Sequence, residues 1–135
     1  MSIDGEIHTA LMSMIEEMPT YGSYSFIWPG KVEDEPSGEY VRVNHLPNDN
    51  RRLGLSHSAP KKRQGFLVLV LCSKLGEHEA VYRSRAGSIV AQIPEGTKKT
   101  ISSGNIEIVS YTIKPGRREG SHWETAIWLG YRGYA

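Results

Sequence analysis

The sequence predicts an α+β domain, a mostly antiparallel sheet of about five strands with two helices packed on it, in the order αβββαββ. Three observations predict it. Gly65-Phe66-Leu67-Val68-Leu69-Val70-Leu71-Cys72 is a continuous apolar run between Lys61-Lys62-Arg63-Gln64 and Ser73-Lys74. Its length and its β-branched and aromatic content favour a strand over a helix. Two other segments, Ile3 to Met18 and Glu77 to Ile93, repeat apolar residues at intervals of three and four, the period of a helix with one buried stripe. The last third alternates with period two, as strands with one face on a core do.

In order along the chain, the first helix buries Ile3, Ile7, Leu11, Met14, Ile15 and Met18. Ser2 or Asp4 caps its start and Pro19 ends it. Met12, Met14 and Met18 read as an adaptable core or subunit contact. Ser25 to Trp28 is a short strand stopped by Pro29-Gly30, and Glu33-Asp34-Glu35-Pro36 a solvated acidic turn. In Glu39 to Leu46, Val41 and Val43 point to the core, with Tyr40, Arg42 and Asn44 opposite. The central run places Phe66, Val68, Val70 and Cys72 on one face and Leu67, Leu69 and Leu71 on the other. One face needs a covering layer and the other a second layer or a neighbouring subunit. In the second helix Tyr82, Ala86, Ile89, Val90 and Ile93 form the larger stripe, beside the small residues Ala80, Ser84, Gly87 and Ala91. Gly87 is expected to allow close helix approach. Asn105 to Lys114 and His122 to Tyr131 are the final strands, the first setting Glu107, Val109, Tyr111 and Ile113 against Ile106, Ile108, Ser110 and Thr112, the second Trp123, Thr125, Ile127, Leu129 and Tyr131 against Glu124, Ala126, Trp128 and Gly130.

A chain of 135 residues reads as a single domain over 1–135, long enough to bury about 68–70% of its unfolded surface without staples. The net charge of +1 gives no global reason for a nucleic-acid or membrane partner. Cys72 is the only cysteine, and inside an apolar run it reads as a small hydrophobe. The N-terminus lacks a basic leader segment and no apolar run approaches the ~20 residues a bilayer requires, so a soluble cytoplasmic product is expected.

Catalytic, cofactor and metal signals are absent from the pattern. His8, His45, His57, His78 and His122 are scattered without metal-ligand spacing. Ser56 and His57 are adjacent, so on an extended segment they point apart. Pro94 to Lys99 lacks the second glycine and following helix of a phosphate loop. The unusual stretch is about 48–64, a basic loop or hairpin arm with Arg51, Arg52, Lys61, Lys62 and Arg63 and no acidic residue between Asp49 and Glu77. A connection of this length is uncommon unless functional or disordered, and it has no aromatic residue for stacking on bases. Electrostatic contact with phosphates or with an acidic protein surface remains.

Phe26-Ile27-Trp28-Pro29-Gly30, Gly38 to Val43 with Leu46-Pro47-Asn48, the basic loop into Gln64-Gly65-Phe66-Leu67-Val68, the alanine-bearing second helix and the strand around Trp123 carry a resemblance. Together they resemble small phage and prophage proteins of a phage-related domain of unknown function, similar to tail terminators of long-tailed phages such as lambda. That resemblance implies helices over an antiparallel sheet and a structural role without catalysis. It implies a hexameric ring that stops tail-tube polymerisation and joins the tail to the head connector, with itself, the tail-tube protein and a head-completion protein as partners. DNA would pass through the lumen, no membrane would be involved, and dilute protein would be compatible with a monomer. Host cytoplasm during assembly and then the virion tail are the implied locations. Arg51, Arg52, Lys61, Lys62 and Arg63 are then the candidate subunit or tube contact, with lumenal DNA a second alternative. A head–tail connector, a tail-tube subunit or a small binding module would need a similar surface.

Overall fold

The first helix, α1 (Ile3–Glu16), starts where Ser2 caps it, its hydroxyl accepting the Gly5 N–H at 3.1 Å. The computed structural model describes residues 2–30, 38–48, 51–52, 61–102 and 104–134, with backbone alone at 51, 52, 61 and 134. After α1 come a 3-10 turn (Tyr21–Ser23), β1 (Ser25–Ile27), β2 (Tyr40–Pro47), β3 (Arg51–Arg52) and β4 (Lys61–Lys74). Then follow α2 (Glu79–Val90), β5 (Lys98–Ile101), β6 (Gly104–Ile113), β7 (Arg117–Glu119) and β8 (His122–Tyr134). The acidic turn at 33–36, His57 and most of the basic loop lie outside the described residues.

Six strands run in the order β1-β2-β4-β8-β6-β5, with β3 beside β4 and β7 beside β8. The sheet therefore exceeds the expected five strands. β5 begins Lys98-Lys99 and β7 is Arg-Arg-Glu, compositions with no apolar alternation to mark them. Among the described strands one pairing is parallel, β1 with β2, and the others are antiparallel.

Both helices cover one face of the sheet. Ile7, Leu11, Met14, Ile15 and Met18 of the α1 region and Ala86, Ile89 and Ile93 of the α2 region join Val41, Val43, Leu67, Leu69, Leu71, Ile127 and Leu129 in one core. The methionines are core residues, with Met12 at 9%, Met14 at 3% and Met18 at 4% exposure. Tyr82 of α2 stacks on Trp123 of β8, ring centroids 5.6 Å apart, and donates its hydroxyl to the Lys74 carbonyl at 2.7 Å.

The opposite face carries Tyr40, Val68, Val70 and Cys72, all buried, with Ile27, Ala126 and Trp128 packed against them. No helix lies over this face among the described core contacts. Instead Trp128 meets Phe66 edge-on at 5.2 Å, and Lys114 sits 5.2 Å over the Trp128 ring. Arg42 bonds both oxygens of Glu124 at 3.3 and 3.4 Å. Phe66 departs from the expected two-sided burial: it is 39% exposed because its strand neighbours on this face are Leu46, 44% exposed, and Gly130, which has no side chain.

Two local expectations change. Strict alternation in β6 would separate Ile106 and Ile108 from Tyr111 and Ile113. A register irregularity between Ile108 and Ser110 shifts the parity by one, so Ile108 opposite Tyr131 and Tyr111 opposite Leu129 share the helix-covered face. Gly87 mediates no close approach, since a Cβ built there would meet nothing within 4 Å, and the small-residue stripe of α2 faces outward.

Candidate functional site: the root of the basic hairpin

The basic segment is a hairpin root. β2 and then β3 run along one side of β4, with Arg51 opposite Lys62 and Arg52 opposite Lys61. β8 flanks the other side, with Lys62 opposite Tyr134. Like charges directly opposed across strands destabilise a ladder.

Arg63 sits differently from the other four. On a strand alternate residues face opposite ways, and Arg63 shares the parity of Leu67, Leu69 and Leu71. Its guanidinium reaches under α1, where Nη1 donates to Asp4 Oδ1 at 3.2 Å, and the residue is 8% exposed. It anchors the hairpin to the body.

Beside Arg63 lies a cavity of about 320 Å³ whose wall includes His8, His45, Pro47 and Tyr131. His8 Nδ1 is 3.0 Å from His45 Nδ1, and His45 Nε2 is 2.6 Å from the Tyr131 hydroxyl. Burial, and then the neighbouring His8, lowers the His45 pKa to about 4. Burial, and then Asp4, raises that of Tyr131 to about 12. Neutral His45 can accept a hydrogen bond at one ring nitrogen and donate one from the other, so it links α1 through β2 to β8. Gly65 is required here: a Cβ would stand 2.5 Å from the Leu46 carbonyl oxygen and 2.7 Å from the Tyr131 hydroxyl.

The His8, His45 and Tyr131 cluster was not legible in the sequence, where its members lie 37 and 86 positions apart; no spacing signal exists for such a grouping. Among the described residues no group of three His, Cys, Asp or Glu could hold a metal ion, and no helix is long and apolar enough to cross a membrane. Cys72 is buried, its thiol 3.7 Å from the Val70 carbonyl oxygen.

The overall fold also occurs in solved structures. One solved chain superposes with a TM-score of 0.70 at 13% identity, over 97% of this chain and 92% of its own length. A chain from the virion of a native gene transfer agent particle does so with a TM-score of 0.58 at 12% identity, over 98% of this chain and 96% of its own. At those identities the likeness is one of fold. No curated protein matches the sequence. The family described as phage tail terminator protein matches residues 6–131. The chain belongs to that family, a family of structural proteins of the phage tail and not of enzymes.

Proposed function

We propose that this protein assembles as a ring on the end of the phage tail tube, stops its polymerisation and presents a second surface toward the head connector. The observation that carries this reading is the family match over residues 6–131. The likeness to a chain of a gene transfer agent virion supports a place in an assembled particle. A tube built by head-to-tail contacts elongates until something binds its end without offering a new one. A sixfold ring meets that need, and six modest contacts acting together gain through effective concentration, so the free protein is monomeric when dilute.

Arg51, Arg52, Lys61 and Lys62 are the proposed tube or subunit contact, their mutual repulsion relieved by an acidic partner surface. Arg63 acts as their anchor. The protein would act in the host cytoplasm during assembly and remain in the virion tail, next to the tube protein and a head-completion protein, with DNA passing through the lumen.

The test mixes the protein with its cognate tube subunit and measures tube lengths by electron microscopy. Shortened tubes with density at one end are expected. Changing Arg51, Arg52, Lys61 and Lys62 to Glu should abolish the shortening with the melting temperature unchanged. Unlimited tubes with bare ends in the presence of the wild type would favour the connector, tube-subunit or binding-module reading.

A further inference from the structure

The sheet ends in edges that are not alike. β5 forms part of one edge and carries Lys98 and Lys99, charges of the kind that keep an edge unpaired. Past the end of β5 the same edge is the second half of β6, Ser110-Tyr111-Thr112-Ile113, without charge or proline. Its inner side pairs with β8, and Lys114 continues the ladder by donating its N–H to the Ala126 carbonyl at 2.8 Å. Alternation along the strand then turns the backbone groups of Tyr111 and Ile113 away from β8. No described strand lies there. Tyr111, 51% exposed, stands on the helix-covered face beside a cavity of about 440 Å³ at the end of α2, lined by Gly87, Val90, Ala91 and Pro94 with Glu95 as its one charged residue.

An uncharged, unpaired strand edge beside a cavity walled mostly by Gly87, Val90, Ala91, Pro94 and Tyr111 suits an added strand, whose backbone completes the ladder while an alternate side chain meets the cavity. The sheet's other end supplies a fitting strand. The outer edge of β1 has no described partner. Its Phe26 lies opposite Val41, on the helix-covered face, half-buried and stacked on Tyr21 at 5.0 Å and Trp28 at 5.6 Å.

We infer that β1 of one copy pairs with the Ser110–Ile113 edge of β6 in the next, the exposed side of Phe26 meeting Tyr111 at the mouth of that cavity while its other side stays on its own core; this rests on the proposed ring. β1 runs with β2, against β4, with β8 and against β6. A copy rotated about an axis along the strands therefore meets β6 in antiparallel sense. The two patches differ and sit at opposite ends of one sheet, so the contact is head-to-tail and closes as a ring of copies.

Two double-cysteine variants test the pairing, Ser25→Cys with Thr112→Cys and Ile27→Cys with Ser110→Cys, all four positions being on the helix-free face. On oxidation at high protein concentration, at least one should give a ladder of covalent multimers, and each single variant none. Tyr111→Lys should shift the sedimentation of concentrated protein from ring to monomer without changing its melting temperature. No ladder from either pair, no assembly of the wild type, or assembly of Tyr111→Lys like the wild type would each overturn the inference. If Tyr111→Lys both assembles and shortens tubes, this interface falls and the capping reading stands. If wild type fails to shorten tubes while a cysteine pair ladders, capping falls and the interface stands.

Discussion

The two faces of β4 hold similar side chains under different cover. Leu67, Leu69 and Leu71 point into a core shared with both helices, whereas Val68, Val70 and Cys72 lie under Trp128, Ile27, Ala126 and the Arg42–Glu124 pair. All six are buried, at 0–7% exposure. A layer of helix spreads burial over many residues; a network of side chains on a bare sheet concentrates it in a few. The helix-covered face should therefore show larger losses on truncation, and the bare face should depend on its polar and aromatic lids.

A charge tests whether the bare face is interior at all. Val68→Asp would place a carboxylate at a 5% exposed position, at a cost of several kcal/mol, comparable with the whole stability of a small domain. Loss of the cooperative melt is expected, and a melt near that of the wild type would show that the face is effectively solvent. Truncation sharpens the contrast. Leu69→Ala should cost about 3–5 kcal/mol and Val70→Ala about 1–2 kcal/mol, since residual cavity volume sets the penalty and the bare face can collapse or hydrate. Equal losses in denaturant midpoints would erase the distinction.

The end of the covered face is sensitive to acid. His45 has a folded pKa of about 4 against its ordinary 6.5, so the unfolded chain binds the proton more readily. Its contribution is intact above pH 6.5 and lost as pH falls through 4; the shift sets a ceiling of about 3 kcal/mol on the loss, and solvent screening of the half-buried ring brings it below that. Unfolding curves between pH 7 and 4 should show that loss, and His45→Gln should flatten it.

The bare face's polar lid gives a smaller effect. Burial opposes the Arg42 charge, but the hydrogen bond and attraction to Glu124 more than offset it and raise the Arg42 pKa. Glu124→Gln should cost about 1–2 kcal/mol, limited by the partial exposure of Arg42. A double-mutant cycle with Arg42→Met separates the pair from its packing. The smallest effect is a gain. Gly87→Ala should stabilise α2 by about 0.5–1 kcal/mol because the new methyl meets nothing, and a thermal melt that drops would mean that the position is covered.

Much of the fold was legible because its signals are local. Apolar spacing marks both helices, Ser2 and Pro19 bound the first, and the run from Gly65 to Cys72 is a middle strand of the sheet. The parity of β8 was also legible, with Thr125, Ile127, Leu129 and Tyr131 turned to the helices, since no irregularity interrupts it.

What the sequence by itself determined is which residues alternate and where the turns fall, because those follow from the period of each backbone conformation. The tertiary structure alone decided the rest. It placed β1 parallel to β2, used the charged segments Lys98–Ile101 and Arg117–Glu119 as strands, and shifted the parity of β6 at one bulge. It also turned Arg63 inward to Asp4 while the other hairpin cations stayed in opposed positions, and it brought His8, His45 and Tyr131 within hydrogen-bond reach. Pairing partners and ion pairs depend on which distant strand supplies the complementary backbone edge or charge, and that geometry has no period to read along the chain.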